Sequence, residues 1–116
     1  MNDFALIFRQ ASDLPAPTQD GINLIMKEWD EWINEIAAAG RYTPGGKLTA
    51  KGKVLKASGS ITDGPFVELK EELAGFFIVK AADLDEAITL AHGCPILKQK
   101  GGSVEIRPII RGIMPK

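Results

Sequence analysis

The side chains able to do chemistry are few and scattered. His92 and Cys94 are the single histidine and single cysteine in 116 residues. One imidazole assembles neither a multi-histidine metal site nor a Ser-His-Asp triad, so no metal site is expected. His92 stands ahead of Gly93 in the last turn of an expected helix, where a partly charged imidazole interacts favourably with the carboxyl-terminal dipole. Proton transfer is its alternative role if it faces a cleft. Cys94 falls just past the same helix end, where the dipole raises a thiol pKa. It reads as a small buried residue rather than a nucleophile.

Asp63 is the best candidate for a functional carboxylate. Partial burial in a cleft would raise its pKa and suit it to act as a base or ligand anchor. The run Asp63-Gly64-Pro65-Phe66 also has a purely structural reading, and that one is stronger. Aspartate can bond its own downstream amides, Gly64 accepts unusual φ, Pro65 fixes the next residue, and Phe66 plugs the core. Glu105 and Arg107 lie two apart on the last expected strand and share a face, at a dimer cleft or a wet edge. Arg41, Lys47, Lys51, Lys53 and Lys56 give the middle of the chain a positive bias, read as a solvated face, with attraction of an anionic metabolite as the alternative. Gly45-Gly46 and Gly101-Gly102 lack the strand–loop–helix context of a phosphate loop and read as turns.

These residues are positioned by a short series of elements. Phe4 to Phe8 is apolar and aromatic, a strand; Pro15 and Pro17 punctuate the loop after it. From Thr18 to Ala39 the spacing is helical, with Ile22, Ile25, Met26, Trp29, Ile33, Ile36 and Ala37 on one stripe and Trp32 toward its edge. Gly40 closes that helix. Arg41 to Thr62 reads as one or two short strands, and Val67 to Ala74 as a helical turn around Glu68, Lys70, Glu71 and Glu72. Gly75 to Val79 is a strand. Asp83, with Glu86 three residues on, opens a second helix whose stripe is Leu84, Ala87, Ile88 and Ala91. Gly93-Cys94-Pro95 stops it, and Ser103 to Ile110 is the last strand. The order fits a single α+β domain of ferredoxin-like βαββαβ type, an antiparallel sheet with two helices on one face.

Composition excludes some partners. The formal charge of −1 gives no concentrated basic footprint for a phosphate backbone, so nucleic acid is not expected. No segment is long and apolar enough for a membrane helix, and the start of the chain lacks a signal peptide. With a lone thiol, cytoplasm is the expected address. Two helices cover only one face of such a sheet, yet Phe4 to Phe8 and Phe76 to Val79 carry apolar side chains on both sides of the pleat. The expected remedy is the same face of a second copy, a two-fold homodimer; the alternative is that the middle segment folds back over it.

The run Ile61 to Glu71 resembles the signature of the DGPF branch of YCII-related proteins. The pattern continues in order through Gly75 to Val79, Asp83 to Ala87, Gly93-Cys94-Pro95 and Gly101 to Ile109, so the resemblance spans Phe4 to Ile110. It implies a dimeric α+β barrel, bacterial origin and no settled activity. Related proteins include muconolactone-type isomerases, dehalogenase-like proteins and cofactor-free monooxygenases; some DGPF domains occur beside alternative sigma factors. Other YCII proteins pair a histidine on the first helix with an aspartate before a proline after the second. Here the first helix offers Trp29 and Trp32, and Cys94 precedes Pro95, so that pair is absent. The expected function is a homodimer with a small-molecule cleft between sheet and helices, an enzyme without cofactor or else a non-catalytic binding or regulatory module. Asp63, Gly64, Pro65, Phe66 and Arg107 are the expected ligand contacts, and Asp63 and His92 the candidates for catalysis.

Overall fold

A computed structural model describes residues 1–49, 51–63 and 71–111. In chain order the elements are β1 (Asn2–Ala11), α1 (Gln19–Ala38), β2 (Tyr42–Lys47), β3 (Lys53–Leu55), β4 (Ile61–Asp63), β5 (Glu71–Ala81), α2 (Leu84–Ala91) and β6 (Ser103–Pro108). A single 3₁₀ turn, Pro95–Lys98, separates α2 from β6. The four-stranded sheet runs β2-β5-β1-β6, and every pairing in it is antiparallel. With β3 and β4 set aside as an inserted two-stranded ribbon, this is the ferredoxin-like order expected from the sequence.

Local chemistry explains the helix ends. The Thr18 hydroxyl accepts from the Gly21 amide at 3.0 Å and opens α1. Gly40 ends it with φ +73°, while the Arg41 amide reaches back to the Ile36 carbonyl at 3.1 Å. The Asp83 carboxylate accepts from the Glu86 amide at 2.8 Å and opens α2.

Along β1, Phe4, Leu6 and Phe8 are buried and alternate with partly exposed Ala5, Ile7 and Arg9. Phe4 faces Val79 and Leu6 faces Phe77 on β5, so the buried sets of the two central strands coincide. They meet Trp32 and Ile36 of α1 and Ala87 of α2 in one core. Leu6 and Val79 are fully buried, each contributing about 1.5–3 kcal/mol. Within α1, Trp32 and Ile36 are the buried pair, while Met26 and Ala37 of the expected stripe are exposed. Trp32 therefore lies at the middle of the buried face, not its edge. Its indole N–H donates to the Leu90 carbonyl at 3.1 Å and ties the helices together. A Cβ on Gly93 would stand 2.8 Å from that indole, so glycine is required beside it.

Two expectations for the middle of the chain change. It holds three short strands rather than one or two, and only β2 joins the main sheet. Glu71 to Ala74, expected in a helical turn, are strand. The reason is long-range pairing: β1 continues to Ala11 and ladders with Glu71, Glu72 and Leu73 through an irregularity between Phe8 and Arg9. Gln10 donates to Glu72 at 3.0 Å across that pair. Tertiary pairing overrides the helix propensity of a glutamate run. Residues 64–70 lie outside the described residues.

Gly45 and Gly46 are not equivalent. β2 breaks register between Thr43 and Gly46, with Pro44 in the break. A Cβ on Gly45 would stand 2.0 Å from the Phe76 carbonyl oxygen, whereas one on Gly46 would meet nothing within 4 Å. Gly45→Ala should cost about 1–3 kcal/mol through overpacking, and Gly46→Ala less than about 1 kcal/mol. Parallel urea unfolding of the two variants measures the contrast; equal losses would contradict this packing.

Cys94 is buried, as its position past the helix predicted, and burial pushes its thiol up to about 12 against a slight opposing hydrogen bond from Ile96. The folded chain thus holds this proton more tightly than the unfolded chain, whose ordinary thiol value is 9.0. The stability Cys94 contributes is complete below pH 9 and is lost as pH rises toward 12. Native protein should resist a disulfide thiol reagent at neutral pH and release one equivalent on denaturation. Stability should fall more steeply between those two pH values than in Cys94→Ala.

Candidate functional site

A groove of about 910 Å³ opens between α1 and the helix-side face of the sheet. Its helix wall is Ile22, Ile25, Met26, Trp29 and Ile33, all on the amphipathic stripe. Phe8, Ala74, Gly75 and Phe77 form its floor, and Tyr42 with Gly45 to Lys47 forms the β2 side. Leu14 to Pro17, the loop entering α1, close one end. Gly75 keeps the floor low beside β2, because a Cβ there would meet the Gly46 carbonyl oxygen at 2.6 Å.

Aromatic rings dominate the base. Phe8 meets Trp29 edge-on at 5.1 Å and Phe77 at 5.1 Å, and Tyr42 meets Phe77 edge-on at 5.0 Å. Such edge-to-face contacts hold the rings in place. The polar groups at the rim are Gln10, Ser12, Asp30, Lys47, Glu72 and Gln99. Glu72, half-buried and held by the Gln10 amide, is the carboxylate with a fixed orientation. Sequence reading missed this pair because it placed Glu72 in a helical turn. The hint was the length of β1, whose polar end at Arg9 and Gln10 needs a partner strand. A smaller cavity of about 340 Å³ lies between the helices, bounded by Trp32, Glu35, Arg41 and Gly93, and Arg41 is already ion-paired with Glu86 there.

Among the expected site residues that the structure describes, Asp63, His92 and Arg107 lie away from the groove. Asp63 ends β4 with its side chain 95% exposed and bonds Lys53 across the ribbon at 2.7 Å. Gly64, Pro65 and Phe66 lie outside the described residues. His92 caps the carboxyl end of α2 and is exposed. Arg107 lies on β6, exposed, and donates to Glu105 at 2.8 Å. Glu105 also accepts from Arg9 at 2.6 Å. The hydrogen bonds from Arg107 and then Arg9 hold its carboxyl below the usual carboxylate range.

That trio marks the opposite side of the sheet. Ladder partners place Ile7 between Phe76 and Glu105, and Ala5 between Ile78 and Arg107. Phe76 and Leu73 are 41% and 39% exposed there. The face is thus apolar along β1 and β5 and charged along β6. Among the described residues no helix covers it.

No helix among the described residues is long and apolar enough to cross a membrane, and none of their acidic, histidine or cysteine side chains cluster as a metal site. Comparison with known proteins finds relatives over most of the chain. An uncharacterised protein of Rhizobium meliloti (strain 1021) is 29% identical over 109 residues, covering 90% of this chain and 88% of its own length. The profile of the YCII-related domain matches residues 18–112, from the cap of α1 to just beyond β6. With that match running through both helices and five of the six strands, the chain belongs to the YCII-related domain family.

Proposed function

We propose that this protein is a small-molecule-binding homodimer of the DGPF branch, with an apolar, ring-bearing ligand held in the groove between α1 and the sheet. The observation that carries the reading is the wall chemistry. Trp29, Phe8, Phe77 and Tyr42 offer stacking and edge contacts, and Ile22, Ile25 and Met26 complete an apolar enclosure with polar groups confined to its rim. This is the usual make-up of a small-molecule site. A second reading, catalysis without cofactor, has one observation in its favour: Glu72 is a carboxylate oriented by Gln10 at the edge of an apolar space, as a proton-transferring group must be.

Nile red, an uncharged apolar dye, tests the binding reading. Its fluorescence should rise and saturate with the parent chain. Met26→Asp changes an exposed groove residue and should weaken binding about tenfold, or ~1.4 kcal/mol, without lowering the melting temperature. A parent that leaves the dye dark, or a variant that binds it equally well, rules the groove out.

The homodimer reading rests on Ala5, Ile7, Phe76, Ile78 and Leu73, an apolar strip that two helices on the other side cannot shelter. At roughly 25 cal/mol per Å², covering those side chains is worth several kcal/mol. Light scattering on a sizing column should give twice the chain mass for the parent and the single mass for Phe76→Asp, with helical content unchanged. A parent that runs as a monomer at micromolar concentration removes this reading.

A further inference from the structure

The β3–β4 ribbon has no place in the sheet or the groove. Its Leu55 and Ile61 are ladder partners, and they stand 72% and 63% exposed. Lys56 and Ser60 close the turn backbone to backbone, with Gly59 at φ +89°. Two three-residue strands are marginal by themselves in water, and this aliphatic pair leaves most of its apolar surface wet. From Lys47 to Asp63 the segment carries four lysines against one aspartate. Lys53 is engaged by Asp63, while Lys51 and Lys56 make no ion pair among the described residues.

The matching surface is on the same chain's α1. That helix carries five carboxylates against one lysine. Glu31 and Glu35, one turn apart on its exposed side, have no ion-pair partner among the described residues, and Leu24 is an exposed leucine on the same helix. An acidic helix face with an exposed leucine complements a basic ribbon with an exposed aliphatic pair.

We infer that the β3–β4 ribbon is an arm that docks on the acidic outer face of α1 in a second copy of the chain. This rests on the homodimer reading and adds to it a reciprocal contact: each copy gives one arm and receives one.

Sedimentation equilibrium at 0.15 M salt on parent and variants tests the arm. Leu55→Ser with Ile61→Ser should raise the dimer dissociation constant at least tenfold. A charge exchange tests the partner surface. Chains bearing Lys51→Glu and Lys56→Glu, or Glu31→Lys and Glu35→Lys, should each dimerise at least tenfold more weakly than the parent. Mixed, the two should form the heterodimer preferentially, because both of its arm–helix contacts again join opposite charges. Circular dichroism of each variant confirms that the fold is kept. If the parent dimerises and the variants match it within twofold, or the mixture shows no heterodimer preference, the arm is wrong while the sheet-face dimer stands. If the parent is monomeric, both fall.

Discussion

The strict alternation of β1 governs the rest of the molecule. Because Phe4, Leu6 and Phe8 all point one way, the central strand commits three large side chains to the helices and leaves Ala5, Ile7 and Arg9 for the other side. Register with β5 extends the division, since Phe77 and Val79 follow Leu6 and Phe4 while Phe76 and Ile78 follow Ile7 and Ala5. A slip of one residue would exchange the two sets and place Arg9 beneath α1. The groove follows from the same alternation. Phe8 supports Trp29 and Phe77, and the next helix-side position on β5 is Gly75, which keeps the floor open where a larger residue would fill it.

Much of the architecture could be read from residue types, because the signals were local and agreed with one another. Thr18 and Gly40 bracket α1 through side-chain and backbone chemistry that operates within one turn. Asp83 does the same for α2. Cys94 was legible because a small apolar residue after a helix end is most simply buried. What could not be read depended on distant partners. Glu71 to Ala74 become strand only because β1 is long enough to pair with them. Trp32 moves to the centre of its helix's buried face because Gly93 and the Leu90 carbonyl make room and a partner for its indole.

The candidate site divides in the same way. Its helical wall was already present in the stripe from Ile22 to Ile33. Its polar rim was not legible, since Gln10 and Glu72 are 62 positions apart. Asp63 drew attention through a conspicuous local motif, yet it sits on the inserted ribbon and engages Lys53. Arg107 belongs to the opposite face, where Glu105 joins it to Arg9.

The irregular β2 has a further consequence for how the protein survives at high concentration. An outermost strand normally offers a row of free amides and carbonyls that can template strand addition from other molecules. Here Pro44 lacks an amide hydrogen and the ladder breaks between Thr43 and Gly46, so the row is interrupted midway. At the far border, β6 is only six residues long, carries Glu105 and Arg107, and ends on Pro108. Both borders therefore disfavour strand addition from other molecules, so lateral growth into fibrils has no long, unbroken edge to start from.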